Sequence, residues 1–372
     1  MVATDGSKHP LIKEHFKKNI EAHYREMDTS YQGWPREGVK DREAYRPAID
    51  ALRPGDAITI FTPDSTHFAI AEYALRRKIH VLVTKPAVQK LRDHIKLVQI
   101  AAEEGVLCYV EHHKRFDPAY FDAREKARTE LGDPSYFYSY MSQPKKQLKT
   151  FSAWAGKDSD ISYYLGSHHV DIHDWITRGM ARPVRVTASG SSGIAESLGC
   201  TPGTEDTITL VVDYEILDAR GRAQQGKRAT GVFVASWTAP EGAGVHSEQG
   251  FHYVGSKGEV KVNQSRRGYD LVSEEGPNAG TRSINPFYVQ YAPFDGYFQG
   301  QQGYGTRSFE VFTQACTAIN SGERKAADFD EILPTIKDTL LTTAILNAGR
   351  ISLDEKRSVK IQTGPDGQPR LI

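Results

Sequence analysis

The sequence has few cysteines, and they are not arranged in pairs. Cys108, Cys200 and Cys316 are far apart and match no C-x-x-C ligand spacing. A cysteine-based metal site or disulfide framework is therefore excluded, and we expect a reducing, cytoplasmic compartment. The sequence also lacks an apolar run of the roughly 18 residues that a membrane span needs, and residues 1–10 are too polar for a signal peptide. We expect no membrane contact.

An excess of charge of one sign is also absent. The chain has 47 basic and 47 acidic residues, and no basic stripe is interleaved with aromatic residues as a nucleic-acid groove would require. Nucleic-acid binding is therefore not expected. With 372 residues, 39% of them hydrophobic, the chain is long enough to build two domains, each with its own core.

Short apolar, β-branched runs alternate with amphipathic stretches in the first part of the chain. This alternation predicts a parallel sheet covered by helices on both faces. The predicted strands are Ala57–Phe61, His80–Thr84 and Val106–Val110. The predicted helices are Phe68–Arg77, Gln89–Glu104 and a segment after Pro118.

After about residue 130 the pattern changes to longer strands with polar alternation and Gly-rich turns. These strands are predicted at Ser135–Met141, Val184–Ser189, Thr207–Tyr214, Thr230–Trp237 and Phe251–Val262. Helices are predicted at Gly166–Thr177, Thr306–Asn320 and Glu331–Gly349, and a long ordered loop at Glu274–Gly305. We therefore expect an α/β protein with a Rossmann-like parallel sheet over residues 1–130. Residues 131–372 should form an α+β domain with a large, mainly antiparallel sheet, its last helices packing back on the first domain.

A Rossmann unit normally carries a G-x-G-x-x-G turn between its first strand and first helix, and residues 1–150 contain none. Residues 1–8 instead look like the end of a second strand and the loop that follows it. We expect that the first strand and the phosphate-binding turn are missing, which would weaken cofactor binding. In that loop Ser7 and Lys8 favour NADP(H), whereas Asp5 would favour NAD(H); we predict NADP(H). An ordinary flexible start is the alternative.

Polar side chains follow two of the predicted strands, where open α/β sheets place their ligands. Lys85, directly after His80–Thr84, could donate hydrogen bonds to a nicotinamide ribose and to a substrate hydroxyl, and Pro86 fixes its direction. The loop after the predicted strand Ala57–Phe61 carries the further cofactor contacts that we predict, Thr62, Pro63 and His67.

The densest cluster of titratable residues is Tyr163–Trp175. In a helix from about Gly166, Tyr164 and His168 would lie one turn apart. A histidine can exchange a proton with a substrate oxygen during hydride transfer, so His168 is a catalytic candidate, with Tyr164 orienting the substrate. The histidines and aspartates here also invite a metal-dependent hydrolase as an alternative, but no H-E-x-x-H spacing occurs and we predict no metal. Structural packing of the cluster remains the other alternative.

A second cluster, Glu111–Pro118, follows the third strand. One interpretation is a polar loop with Asp117 and Pro118 as helix cap and first helical residue. The functional interpretation places Lys114 or Arg115 near the cofactor or a substrate carboxylate.

The segments TKP, HHKRFDPAY and YYLGSHHVD together resemble the glucose-fructose oxidoreductase and inositol dehydrogenase superfamily, Gfo/Idh/MocA. The resemblance implies catalytic roles for Lys85 and His168. The aspartate that the family usually carries four residues before the histidine is Tyr164 here, which leaves a non-catalytic relative as an alternative. The segments VTKPAVQ, EHHKRFDPAY and FSAWAGKDSDISYYLGSHHVDI are most similar to the fungal D-galacturonate reductase branch.

That branch implies reduction of the aldehyde of a uronic acid, D-galacturonate, to L-galactonate with NADPH. A sugar acid requires a fixed cation in its pocket, and we predict Lys114 and Arg267, with Arg115 on the cofactor. Trp154 and tyrosines of the long loop could stack on a sugar face. His169 and Asp171 are the remaining predicted substrate contacts. The resemblance further implies a homodimer through the antiparallel sheet.

Overall fold

The computed structural model describes residues 2–3, 14, 32–274, 280–288, 290–291 and 301–372. The strands in this part of the chain are β1 (Val2–Ala3), β2 (Gly33–Trp34), β3 (Ala57–Ile60), β4 (His80–Thr84), β5 (Cys108–Glu111), β6 (Pro134–Pro144), β7 (Ala181–Ser192), β8 (Glu205–Leu217), β9 (Ala223–Ala239), β10 (Glu248–Gly255), β11 (Gly258–Asn263), β12 (Tyr269–Ser273), β13 (Gly280–Ile284), β14 (Gln290–Tyr291), β15 (Gln301–Gln302), β16 (Val359–Thr363) and β17 (Pro369–Leu371).

The α-helices of the same residues are α1 (Tyr45–Asp50), α2 (His67–Leu75), α3 (Leu91–Glu104), α4 (Pro118–Thr129), α5 (Lys145–Phe151), α6 (Ser167–Thr177), α7 (Ile194–Ser197), α8 (Tyr304–Asn320) and α9 (Leu340–Glu355). Among the described helices, none has the length and apolar character that crossing a membrane would demand.

Three parallel strands, β3, β4 and β5, form the first sheet in that order. The central strand β4 is buried along nearly its whole length, as expected for a strand covered on both faces. One face packs against helices α2 and α3. On the other, Leu82 and Tyr109 pack against Phe312 of α8, so a late helix covers the first sheet.

The second sheet has eight strands in the order β11-β10-β6-β9-β8-β7-β16-β17. All its neighbouring strands are antiparallel except β6 and β9, which run parallel. Buried residues alternate along β8, with Ile208, Leu210 and Val212 facing the core below helices α6 and α9. The α/β class with a parallel first sheet and a mainly antiparallel second sheet is therefore confirmed.

The start of the chain contributes one described strand. Val2–Ala3 pairs in parallel with Gly33–Trp34 to form a separate two-stranded sheet. A strand is therefore present at this position, but it is not hydrogen-bonded to the sheet of β3, β4 and β5, of which it was predicted to be a part. The loop predicted after it, residues 4–8, lies outside the described residues.

Three predicted elements were wrong in extent. The predicted strand Thr230–Trp237 begins earlier, at Ala223. The predicted strand Phe251–Val262 is two strands, because Ser256 and Lys257 form a tight turn between β10 and β11. The predicted helix Glu331–Gly349 begins only at Leu340, since Thr335 pairs instead with Tyr109 of the first sheet. It also runs past Gly349, which is not a helix end: a Cβ there would lie 2.6 Å from Leu210 Cδ2, so glycine permits close helix–sheet packing.

The predicted long loop Glu274–Gly305 is only partly described, and its described residues include strand structure. Gly280–Ile284 pairs with Tyr269–Ser273 as an antiparallel hairpin. A second short pairing joins β14 to β15.

Candidate active site

Lys85 lies where the central strand of the first sheet ends. Its Nζ donates a hydrogen bond to the backbone carbonyl of Tyr164 and lies 4.4 Å from the centroid of the Tyr164 ring. Burial lowers the pKa of Lys85 to about 8, while the carboxylates of Asp64 and Glu111 act in the opposite direction. The ammonium group is therefore held by the segment at Tyr164, beyond the parallel sheet, and titrates nearer to neutral pH than a solvated lysine.

Tyr164 and His168 lie on a helical segment that begins earlier than predicted. One turn of π-helix, Ser162–Gly166, leads directly into α6. The carboxylate of Asp160 starts this turn, because it accepts hydrogen bonds from the backbone N–H groups of Ser162 and Tyr163 at 2.8 and 3.1 Å. The π-turn brings the side chains of Tyr164 and His168 to the same cavity.

The segment after β5 contributes a carboxylate, an imidazole and an ammonium group. Glu111 ends β5, and Nδ1 of His113 lies 3.0 Å from each of its carboxylate oxygens. Lys114 is 4% exposed and donates a hydrogen bond to Oε1 of Gln249. Burial lowers the pKa of Lys114 to about 7, with Asp117 acting against it and Lys85 adding to it.

These three segments meet at one cavity of about 460 Å³ between the two sheets. Described residues that line it include Lys85, Glu111, His113, Lys114, Gln143, Tyr164, His168, Ser247, Gln249, Tyr288 and Tyr304. Lys85, Tyr164 and His168, the three predicted catalytic residues, therefore line one polar space. Two tyrosines of the predicted long loop line it as well.

Three buried polar atoms of the lining have no hydrogen-bond partner among the described residues. They are Oε1 of Gln143, Nδ1 of His168 and Oγ of Ser247. A buried polar atom without a partner costs about 1–3 kcal/mol. The lining is therefore built for a polar ligand with several hydrogen-bonding groups.

His168 lies among cations rather than beside a carboxylate. Burial, together with the ammonium groups of Lys85 and Lys114, holds the pKa of His168 well below its usual value. Its ring is 5.0 Å from that of His113 and 6.4 Å from that of His112, centroid to centroid. The imidazole is therefore neutral near pH 7, which lets one nitrogen accept a hydrogen bond.

Arg115 and Asp171 do not reach the cavity, which corrects their predicted contacts with cofactor and substrate. The buried Arg115 guanidinium pairs with Asp171 at 2.6 Å and with Asp338 at 2.5 Å. Both carboxylates hold the pKa of Arg115 far above its usual value despite burial. Asp171 also lies 3.6 Å from Nδ1 of His112, whose ring centroid is 6.4 Å from that of His168.

His169 points into the core beneath the second sheet instead of into the cavity. Its Nε2 lies 2.8 Å from the hydroxyl of Tyr120, and its ring packs edge-on against Phe251. The predicted substrate contact is corrected because α6 turns neighbouring side chains through roughly 100° per residue, which separates His169 from His168.

Trp154 and Arg267 lie behind the lining, which also corrects their predicted substrate contacts. The Trp154 ring packs 5.2 Å from the Tyr164 ring and supports it from the far side. The Arg267 guanidinium pairs with Asp117, the residue that caps α4. Of the predicted substrate contacts, only Lys114 lines the cavity.

The predicted cofactor contacts Thr62, Pro63 and His67 lie in the loop that joins β3 to α2. His67 is fully buried; its Nδ1 lies 2.9 Å from the carbonyl oxygen of Pro86 and its Nε2 lies 2.8 Å from that of Thr62. The histidine therefore ties together the loops that follow β3 and β4 and is not available to a ligand. Asp5, Ser7 and Lys8 lie outside the described residues.

Gln143 and Gln249 were missed by sequence reasoning. Gln143 continues the buried alternation of β6 that includes Phe137 and Met141, and Gln249 is in phase with buried residues of β10. A polar residue at an inward position of an otherwise apolar alternation is the signal that could have identified them. Within the part of the chain that the structure describes, no group of three or more metal-ligating side chains could hold a metal ion.

Two family models match this chain. Residues 41–112 match a model described as an oxidoreductase family with an NAD-binding Rossmann fold, and residues 125–261 match the GFO/IDH/MocA C-terminal domain. Together they cover more than half of the chain.

Curated relatives match over shorter stretches. A UDP-N-acetylglucosamine 3-dehydrogenase of Acidithiobacillus ferrooxidans is 31% identical over 151 residues, covering 40% of this chain and 44% of that protein. A scyllo-inositol 2-dehydrogenase (NAD(+)) of Bacillus subtilis is 36% identical over 122 residues, 30% of this chain and 36% of its own length. The chain thus spans less than half the length of these two curated relatives.

Solved structures share the fold over most of the chain. The scyllo-inositol dehydrogenase from Lactobacillus casei with bound cofactor NAD(H) and scyllo-inositol superimposes with a TM-score of 0.60 at 16% identity, covering 96% of this chain and 97% of that one. At that identity the likeness concerns the fold alone. With both halves matched to models of one family and the fold shared throughout, the chain belongs to the Gfo/Idh/MocA family of oxidoreductases.

Proposed function

We propose that this protein catalyses nicotinamide-dependent hydride transfer to or from a carbon that bears a carbonyl or hydroxyl group. The observation that carries the proposal is the single cavity lined by Lys85, Tyr164 and His168 beyond the end of β4. An ammonium and an imidazole around one buried polar space can share a proton with a substrate oxygen while a hydride moves at the neighbouring carbon. The NAD-binding description of the matched family model supports this assignment.

The residues at the ends of β3 and β4 fit the nicotinamide end of a dinucleotide. Such ligands lie beyond the carboxyl ends of parallel strands, where Thr84 and Lys85 line the cavity. Lys85 and Pro86 would hold the nicotinamide riboside, with the loop at Thr62 beside them. The bound nucleotide supplies or accepts the hydride. We propose NADP(H) rather than NAD(H), with Ser7 and Lys8 on the 2′-phosphate.

Each assigned side chain has a separate task. Lys85 would donate a hydrogen bond to the reacting oxygen, and its lowered pKa makes the proton easier to release. The neutral imidazole of His168 would accept the hydrogen of the same hydroxyl group. Tyr164, backed by Trp154, would orient the substrate through its hydroxyl group.

We propose a uronic acid as the substrate, with the aldehyde group of linear D-galacturonate reduced to give L-galactonate. The sequence resemblance to fungal D-galacturonate reductases supports this, and so does the ammonium of Lys114 in the lining, whose hydrogen-bond partner is the uncharged amide of Gln249. The names of the curated relatives, a UDP-sugar dehydrogenase and an inositol dehydrogenase, support a polyhydroxylated substrate in general.

We also propose a division of the chain near residue 130 and a homodimer that forms through the open face of the second sheet. The half-buried, neighbouring rings of Tyr138 and Tyr140 on that face support the dimer. Light scattering should give twice the chain mass of 41.5 kDa. The three cysteines are buried and unbonded, which supports a reducing, cytoplasmic location.

The function is tested with the full chain, both reduced nucleotides and a panel of substrates. We expect NADPH fluorescence to respond to protein at lower concentration than NADH fluorescence, and uronates to be reduced faster than neutral aldoses. Faster turnover of an inositol or neutral sugar would overturn the uronate assignment. Nucleotide binding without turnover of any compound would instead favour a non-catalytic relative, as the replacement of the family's aspartate by Tyr164 suggests.

A further inference from the structure

A carboxylate–imidazole pair lies in the same cavity and has no task in the scheme above. Nδ1 of His113 lies 3.0 Å from both carboxylate oxygens of Glu111, and both residues line the cavity. A carboxylate can only accept hydrogen bonds, so Nδ1 carries the ring proton and Nε2 is left with its lone pair. Among the described residues, Nε2 of His113 has no hydrogen-bond partner.

Packing fixes the orientation of the His113 ring. It is stacked on Tyr304 at 5.9 Å with an interplanar angle of 17°, and Tyr288 packs against it at 5.6 Å. On another side it meets the ring of His168 nearly edge-on, with centroids 5.0 Å apart. An imidazole held by a carboxylate and by three rings is oriented in the way that an efficient proton acceptor requires.

His113 and His168 differ in the charged groups that lie beside them. Nδ1 of His168 has no partner among the described residues, and the ammonium groups of Lys85 and Lys114 disfavour its protonated form. Protonation of His113 instead places the new charge beside the Glu111 carboxylate. Of the two rings, His113 is therefore the one that lies beside a carboxylate.

We infer that His113, oriented by Glu111, holds the substrate proton during the reaction; this rests on the function proposed above. In the oxidative direction the substrate O–H bond breaks and its electron pair forms the carbon–oxygen double bond. The hydride leaves the same carbon for the nucleotide with the C–H electron pair. His168 accepts the proton at one ring nitrogen; since no hydrogen bond joins the two rings among the described residues, the proton then passes through water in the cavity to Nε2 of His113 and from there to solvent. Reduction reverses every step, and Glu111 acts throughout as a positioning residue.

Several titratable groups face His113 from the elements packed around it. They are Glu111 from β5, Lys85 from the end of β4, the neighbouring residue Lys114, His168 from α6, Tyr288, and Tyr304 from α8. Removal of the Glu111 charge should therefore change the pH profile of turnover, whereas a merely structural role for Glu111 would leave that profile unchanged.

The first test needs no substrate. Nitrogen-15 NMR of the histidine side chains, with His113 assigned by its loss in His113→Asn, reads which ring nitrogen carries the proton. We expect the Nδ1–H tautomer for His113 in the full chain. The Nε2–H tautomer would overturn the inference, whether or not the protein proves to be an oxidoreductase.

The second test uses turnover of the best substrate from the panel. We expect His113→Asn to lower kcat about 100-fold and Glu111→Gln about 10-fold with an altered pH profile of kcat, while KM changes little. The matched control is His252→Asn, because His252 pairs with Glu259 at 2.7 Å on the second sheet, away from the cavity. Unchanged kcat in both cavity variants would overturn the inference, whereas failure of the whole panel would concern the proposed function alone.

Discussion

The ammonium group of Lys85 donates a hydrogen bond to the backbone carbonyl of Tyr164, which lies 79 residues further along the chain. Lys85 belongs to the end of the parallel sheet, and Tyr164 to the π-turn that leads into α6. Because the acceptor is a backbone atom, the bond does not depend on the type of side chain at position 164. The end of the parallel sheet and the π-turn before α6 are thereby joined at the cavity.

His168→Ala should remove most turnover while nucleotide binding persists. The imidazole lines the cavity but lies on α6, far in sequence from the strand ends that would hold the nucleotide. We expect kcat to fall about 100-fold or more, with NADPH affinity unchanged in a fluorescence titration. An equal loss of nucleotide binding and turnover would show that His168 is structural.

Tyr164→Phe should separate the hydroxyl group from the rest of the residue. The backbone bond to Lys85 and the ring contact with Trp154 both survive this change, so the fold of the site should be preserved. We expect KM for the sugar substrate to rise by about 3- to 10-fold, the loss of one hydrogen bond, with a smaller effect on kcat. Steady-state kinetics measure both; a loss confined to kcat would place the hydroxyl group in proton transfer instead.

Lys114→Met should stabilise the protein in a pH-dependent way. Burial lowers the pKa of Lys114 from its ordinary 10.5 to about 7, so the folded state releases a proton that the unfolded state retains. In the wild type, burial of the charged ammonium group lowers the free energy of unfolding. This loss is complete below pH 7, shrinks between pH 7 and 10.5 and is absent above pH 10.5. We expect a gain of about 2–4 kcal/mol in the free energy of unfolding at pH 6, shrinking towards pH 10.

Urea unfolding at the two pH values measures this gain. The control is Lys157→Met, since Lys157 is exposed and its replacement should change little at either pH. A gain at Lys114 that does not depend on pH would contradict the assigned titration.

Arg115→Met should destabilise the fold strongly. The change would leave the buried carboxylate of Asp171 without a guanidinium partner, whereas Asp338 would keep its pair with Arg178. We expect a loss of about 3–5 kcal/mol in the free energy of unfolding. Arg185→Met is the control, because its partner Asp213 is on the open sheet face and an exposed pair contributes less than about 1 kcal/mol. Comparable losses for the two variants in urea unfolding would show that the buried ion pairs of Arg115 stabilise the fold no more than the exposed pair of Arg185.

Much of the fold was predictable because burial imposes a period on the sequence. β4 was predicted with its observed limits, and α3 and α8 to within two residues. The predicted limits were wrong where a segment with a helical pattern pairs with a residue far away in the chain. Residues 331–339 contain periodic apolar positions, yet Thr335 pairs with a strand formed more than two hundred residues earlier.

Residues of the candidate site were predictable only where a titratable side chain directly follows a strand or lies at the start of a helix. Lys85 and His168 were found in this way, since their segments have recognisable boundaries. The side chains of Arg115, Asp171 and Arg267 are equally suitable for binding a ligand. They instead form ion pairs inside the protein. No spacing in the sequence distinguishes an arginine that meets a carboxylate from one that meets a ligand.

The sequence by itself determined the two sheets, the order of their strands along the chain and the side chains offered at the strand ends, because each depends on neighbours within about one turn or one strand. Only the tertiary structure decided which charged groups face the cavity and which neutralise one another. That outcome depends on distances between residues far apart in the chain, such as the 56 residues between Arg115 and Asp171, and electrostatic energy follows distance in space.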